Sequence, residues 1–193
     1  MSQVFVKNER VIPASPEAVY TVLADYKDKR PLILTPNFLN YKVEHGGQGA
    51  GTVVSYRLRA ANRERSYRMR VDEVVKGKEL VERDRHSSLV TTWMLAPQDD
   101  GRQTRVLVTT EWEGSSGVGG FFERTFAPLG LHHIYNQMLD MLELVVVPAE
   151  KRSGAVVVRK PESALPRVLM MGATAAATAY GLYVISKRKR EHV

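Results

Sequence analysis

From Leu39 to Glu113 the chain alternates apolar and charged residues, strand after strand, and an apolar-striped segment follows directly. Thr52–Ala60 sets Val54, Tyr56 and Leu58 on one parity and Ser55, Arg57 and Arg59 on the other. In Arg63–Val75, Tyr67, Met69 and Val71 oppose Ser66, Arg68, Arg70 and Asp72, and in Gln103–Glu113 Val106, Val108, Thr110 and Trp112 share a face. Alternation this clean requires antiparallel strands with one wet face and one dry face. Turn signals separate the segments: the glycines of His45–Gly51, then Ala61-Asn62, Lys76-Gly77-Lys78 and Pro97–Gly101. Leu39–Glu44, Glu79–Asp84 and Ser88–Ala96 complete the run of strands.

The ends of the pattern are helical. Gln3–Pro13 reads as a first strand, and Ser15-Pro16-Glu17 opens a helix by supplying a cap, a first-turn proline and an acid at the positive dipole end. Ala18, Val19, Val22, Leu23 and Tyr26 give that helix its apolar stripe, and a short helix or turn over Lys27–Phe38 is broken by Pro31 and Pro36. The last helix is expected from about Phe121 to Val147, with Leu131, Ile134, Tyr135, Met138, Met141, Leu142 and Val145 at helical spacing and Pro128 disturbing its first turn. The order is β-α-α-β-β-β-β-β-β-α, an α+β fold. A chain of 193 residues holds one such domain (1–147) and a tail. The absence of cysteine excludes disulfides, thiolate metal sites and a cysteine nucleophile.

Four stretches carry a resemblance: Ile12-Pro13-Ala14-Ser15-Pro16-Glu17-Ala18-Val19-Tyr20, Gly49-Ala50-Gly51-Thr52, Gly101-Arg102-Gln103-Thr104-Arg105-Val106 and the long final helix. In this order they resemble the helix-grip fold of the START-like (SRPBCC) superfamily, and its polyketide cyclase-like members most. The resemblance covers residues 3–147. It implies a curved antiparallel sheet wrapped around the C-terminal helix and an apolar hollow between them, but no fixed catalytic set. A ligand in that hollow would meet Val54, Tyr56, Leu58, Tyr67, Met69, Val108, Thr110 and Trp112 from the sheet, and Phe122, Phe126, Tyr135 and Met138 from the helix. Taken singly, each of these residues is better explained as plain core, and the lining reading rests on the group.

Chemistry is harder to find. The glycines at 46, 47, 49 and 51 are not a phosphate loop, because no GK[ST] follows and Thr52 opens a strand. His132 and His133 are adjacent on a helix and cannot chelate as i, i+4 ligands do, so neither a metal nor a cofactor is expected; one of them could face the hollow as a polar anchor. Tyr56, Tyr67, Arg65 and Glu82 are the candidate acid–base groups of a cyclase or dehydratase, against the simpler reading of packed tyrosines and surface ion pairs. The arginines from Arg57 to Arg70 read as the wet face of a hairpin, open to lipid headgroups or acidic partners.

The charge of +7 belongs mostly to the tail: after Val147 stand nine basic and three acidic residues. The body is then almost neutral, and nucleic-acid binding by it is not expected. Residues 148–166 read as a linker in which Val156–Val158 could add a strand, and 167–193 as a hydrophobic helix with a basic end. Val168–Ser186 lacks charge, and Lys187-Arg188-Lys189-Arg190 follows. Its length fits a bilayer core, and small residues at Ala173, Ala177 and Gly181 would allow a homodimer in lipid. The N-terminus reads as carrying no signal. The expectation is a binding protein for a lipid or other apolar molecule, held by a single C-terminal membrane anchor with its domain in the cytoplasm. A cyclase/aromatase-like enzyme, a membrane-associated interaction module and a cytoplasmic protein are the alternatives.

Overall fold

The computed structural model describes residues 3–60, 63–114 and 117–148, the stretch 117–126 by its backbone alone. Seven strands make one antiparallel sheet: β1 (Gln3–Ile12), β2 (Phe38–His45), β3 (Val53–Ala60), β4 (Arg63–Val75), β5 (Glu79–Asp84), β6 (Val90–Gln98) and β7 (Gln103–Glu113). Its order is β1-β7-β6-β5-β4-β3-β2, so strands 2 to 7 form a meander and β1 returns to pair with β7. A helix, α1 (Pro16–Ala24), and a short 3₁₀ turn (Arg30–Ile33) bridge β1 and β2, and α2 (Gly117–Val146) closes the chain of elements.

The local causes match the sequence. Ser15 caps α1 by accepting from the Ala18 N–H, with Pro16 in the first turn. The dry parities point inward as expected: Val54, Met69, Val71, Val106 and Val108 are buried together with Leu131, Ile134, Met138, Leu139 and Leu142 of α2. Asn8 fixes β1 to the helix by donating to the His132 carbonyl (3.0 Å) and to Asn136 Oδ1 (2.8 Å), and Arg10 pairs with Asp140.

Several expectations need correction. The second helix is only the 3₁₀ turn Arg30–Ile33, held short by Pro31. Helix α2 begins at Gly117, before the expected Phe121, and Pro128 lies inside it without ending it. Adding a residue to a formed helix gains a hydrogen bond without a new nucleation cost, which offsets the weak helix propensity of Gly119 and Gly120. Among the described residues no helix is long and apolar enough to cross a membrane. The linker, its Val156–Val158 segment and the hydrophobic tail lie outside the described residues.

Candidate functional site

Where α2 faces the open edge of the concave sheet, packing changes from aliphatic to aromatic and charged. The 3₁₀ turn sets Arg30 under the sheet. There its Nη2 meets Glu82 Oε1 of β5 at 2.7 Å, and the hydroxyl of Tyr26 donates to the same oxygen at 2.7 Å. Both charged residues are buried, Arg30 at 3% exposure and Glu82 at 6%. The guanidinium is further held by the Leu23 carbonyl and by two ring faces, Trp93 at 4.4 Å and Tyr26 at 5.3 Å. Such stacking suits arginine, whose planar ion is weakly hydrated.

Around this pair lies a set of rings. Phe38 meets Tyr56 edge-on at 5.0 Å, Tyr41 stacks on Tyr56 at 6.4 Å, and Tyr67 tilts against it at 5.8 Å. All four are half-buried. Deeper in, Trp93 packs edge-on against Tyr135. A hydroxyl chain runs behind them, with Thr110 Oγ1 between Thr91 Oγ1 (2.9 Å) and the Tyr135 hydroxyl (2.5 Å). The indole N–H of Trp93, a residue 1% exposed, has no hydrogen-bond partner. An unmade hydrogen bond at a buried donor is costly, so this N–H is an available site for an oxygen acceptor.

The electrostatics follow from burial. It pushes the hydroxyls of Tyr26, Tyr56 and Tyr135 above the usual tyrosine range, the first two well above it, and it lifts Tyr41 too. For Arg30 burial works downward, but the Glu82 carboxylate and the neighbouring tyrosine oxygens outweigh it and hold the cation more firmly than in water. These groups form a cavity wall with fixed donors and a fixed acceptor.

The hollow itself corrects the expectation. Its void is about 20 Å³, room for a water molecule and far below the few hundred Å³ of a drug-sized pocket. Rings and the ion pair fill the gap between sheet and helix, and the lining is polar as well as apolar. Of the residues expected to line it, Val54, Tyr56, Tyr135 and Met138 do. Leu58, Met69, Val108 and Trp112 are buried in the core cluster, Thr110 sits behind the lining, and Tyr67 packs against the lining residue Tyr56. The side chains of Phe122 and Phe126 lie outside the described ones. Of the acid–base candidates Glu82 is central, paired inside and not on the surface, whereas Arg65 is exposed, as are His132 and His133.

Sequence reasoning missed Tyr26, Arg30, Leu34, Phe38, Tyr41, Thr91 and Trp93. For β6 a signal existed: Thr91, Trp93 and Leu95 share a parity and all three are buried. For Arg30 there was almost none, since Lys27-Asp28-Lys29-Arg30-Pro31 has the composition of a solvated turn.

Residues 3–147 match the family model described as polyketide cyclase / dehydrase and lipid transport. The KanY protein, solved by NMR in solution, is 41% identical over 76% of this chain and 99% of its own, with a TM-score of 0.66. TTHA0849 from Thermus thermophilus is 21% identical over 79% of this chain and 99% of its own (TM-score 0.60). The Zhui aromatase/cyclase from Streptomyces sp. R1128 is 19% identical over 80% and 98% (TM-score 0.55). The last two establish likeness of fold alone. No curated protein matches the chain.

Proposed function

Since the chain belongs to the polyketide cyclase / dehydrase and lipid transport family, we propose that it binds a hydrophobic, ring-bearing small molecule between α2 and the concave sheet. The ligand's oxygen-bearing end lies against Trp93 and Arg30, and its apolar body replaces the contacts that Phe38, Tyr41 and Tyr56 now make with one another. One observation carries this reading. An ion pair, an unpaired indole N–H and six aromatic side chains gather at one cavity, although an aliphatic core would fill the same space at less electrostatic cost.

The small void sets the energy that binding must supply. Admitting a ring means turning half-buried aromatic side chains outward. Burial of about 200 Å² of apolar ligand surface contributes about 5 kcal/mol, enough to offset several rotamer changes. The test is fluorescence titration of the full chain with 1-anilinonaphthalene-8-sulfonate, an aromatic, largely apolar probe bearing an anionic oxygen group. Saturation at one site, competed by an apolar ring compound, is the expected outcome; a linear, unsaturable rise contradicts it.

A cyclase-like enzyme is the second reading. The favouring observation is the Tyr26 hydroxyl on the Glu82 carboxylate beside Arg30, a proton carrier next to a cation suited to an enolate oxygen. Glu82→Gln would cost such an enzyme two or more decades of turnover while leaving probe binding in the folded protein. The charge-free stretch Val168–Ser186 supports tethering of the body to a membrane. Resistance of the full chain to carbonate extraction is expected, and its quantitative release would remove the anchor.

A further inference from the structure

We propose that the arginine-rich arm formed by β3 and β4 docks on membranes bearing anionic headgroups. Positive charge is concentrated here. Between Arg57 and Arg70 stand six arginines and one glutamate, in a body that is otherwise slightly acidic. Strand register gathers four of them, Arg57, Arg59, Arg68 and Arg70, into a ladder on one face: Arg59 lies opposite Glu64, Arg57 opposite Ser66, Ser55 opposite Arg68 and Val53 opposite Arg70, which pairs onward with Arg83. Alternate residues share a face at about 7 Å spacing, so the convex side presents cation after cation.

The neighbouring acids do not cancel this charge. Glu64 is shared between Arg57 and Arg59, and Asp72 between Arg70 and Arg83, while Glu44 takes Arg68. The side chains of Arg57, Arg59, Arg70 and Arg83 remain 48%, 58%, 63% and 55% exposed. Each guanidinium has five donors, so one shared carboxylate leaves several for phosphate oxygens.

The rest of the chain favours a lipid surface over a nucleic acid. The arm is tied to the segment that carries the cavity mouth: the Arg59 N–H donates to the Asn37 carbonyl (2.9 Å), and Asn37 Nδ2 donates to the Arg59 carbonyl (2.7 Å). Phe38, which lines the cavity, pairs with Leu58 of the arm. The cation ladder stands in one chain with a charge-free stretch, Val168–Ser186, a pairing that suits an anionic membrane better than a nucleic acid. The tail repeats the sign, with Lys187–Arg190 bordering the charge-free stretch. The inference requires no particular ligand in the cavity.

The chain has no cysteine, so Ser66→Cys, at an exposed position inside the ladder, gives a single attachment point for a polarity-sensitive fluorophore. The full chain is mixed with phosphatidylcholine vesicles, alone or with about a third phosphatidylserine. A blue shift with the anionic vesicles only, reversed by salt, is expected. Arg57→Gln, Arg59→Gln and Arg70→Gln should each lower the label's partitioning about fivefold, and Glu64→Gln should raise it. An equal shift with neutral vesicles, no shift with either, or a larger shift with duplex DNA than with anionic vesicles at the same salt would overturn the inference.

Discussion

Replacing Glu82 by glutamine tests the buried network most sharply. The amide keeps the shape and still accepts from the Tyr26 hydroxyl, so the change removes mainly the charge that faces Arg30 at 2.7 Å. Breaking one side of a buried pair costs about 3–5 kcal/mol, because the remaining ion is left without a counterion. Trp93 and the Leu23 carbonyl still hold the guanidinium, which places the expected loss near the lower end, about 3 kcal/mol. In a chain of this size that is a fall of about 6–12 °C in melting temperature, with a matching shift of the urea midpoint at unchanged slope. The double variant Arg30→Met/Glu82→Leu should return to within about 1 kcal/mol of the parent, since apolar pairs of similar volume pack as well as ions do. It should also lose the anilinonaphthalene probe. A cost below about 1 kcal/mol for Glu82→Gln would mean that water screens the pair, and a double variant as unstable as the single would mean that the pair is there for stability.

Trp93→Phe removes the unpaired N–H and keeps most of the ring. Probe or ligand affinity should fall about tenfold while the melting temperature moves little, and unchanged affinity would show that the N–H makes no ligand contact. Tyr20, Tyr26, Tyr41 and Tyr56 all have raised hydroxyl pKa values, Tyr20 to about 12, so the folded state keeps protons that the unfolded chain releases above its ordinary value near 10. Stability therefore declines as pH rises through 10, and phenolate absorbance should appear in one step with the loss of circular dichroism; gradual ionisation of a chain that stays folded contradicts this. Gly46→Ala places a Cβ 3.0 Å from Thr52 Cα at a positive φ of 68°, and should cost about 2 kcal/mol by urea denaturation.

Strand alternation made the fold readable because β3, β4 and β7 each bury one parity against the same helix. The lining was less readable for two physical reasons. Inward parity tells which side chains are dry, but not which touch a gap and which touch one another, so Met69 and Val108 carried the same signal as Tyr56. The charged end comes from long-range pairing: Arg30 and Glu82 are far apart in the chain, and each is ordinary among its sequence neighbours. Strand parity makes Glu82 legible as a candidate acid–base group, but nothing in the sequence links it to its buried partner Arg30. The small void belongs to side-chain packing, which a pattern of apolar positions does not encode.

Native mass spectrometry of the full chain, purified without stripping bound molecules, tests the central claim most directly. The account predicts a one-to-one adduct of a ring-bearing apolar molecule, absent from the Arg30→Met/Glu82→Leu variant. Bare protein throughout, together with failure of any ring compound to saturate a single site, would contradict it.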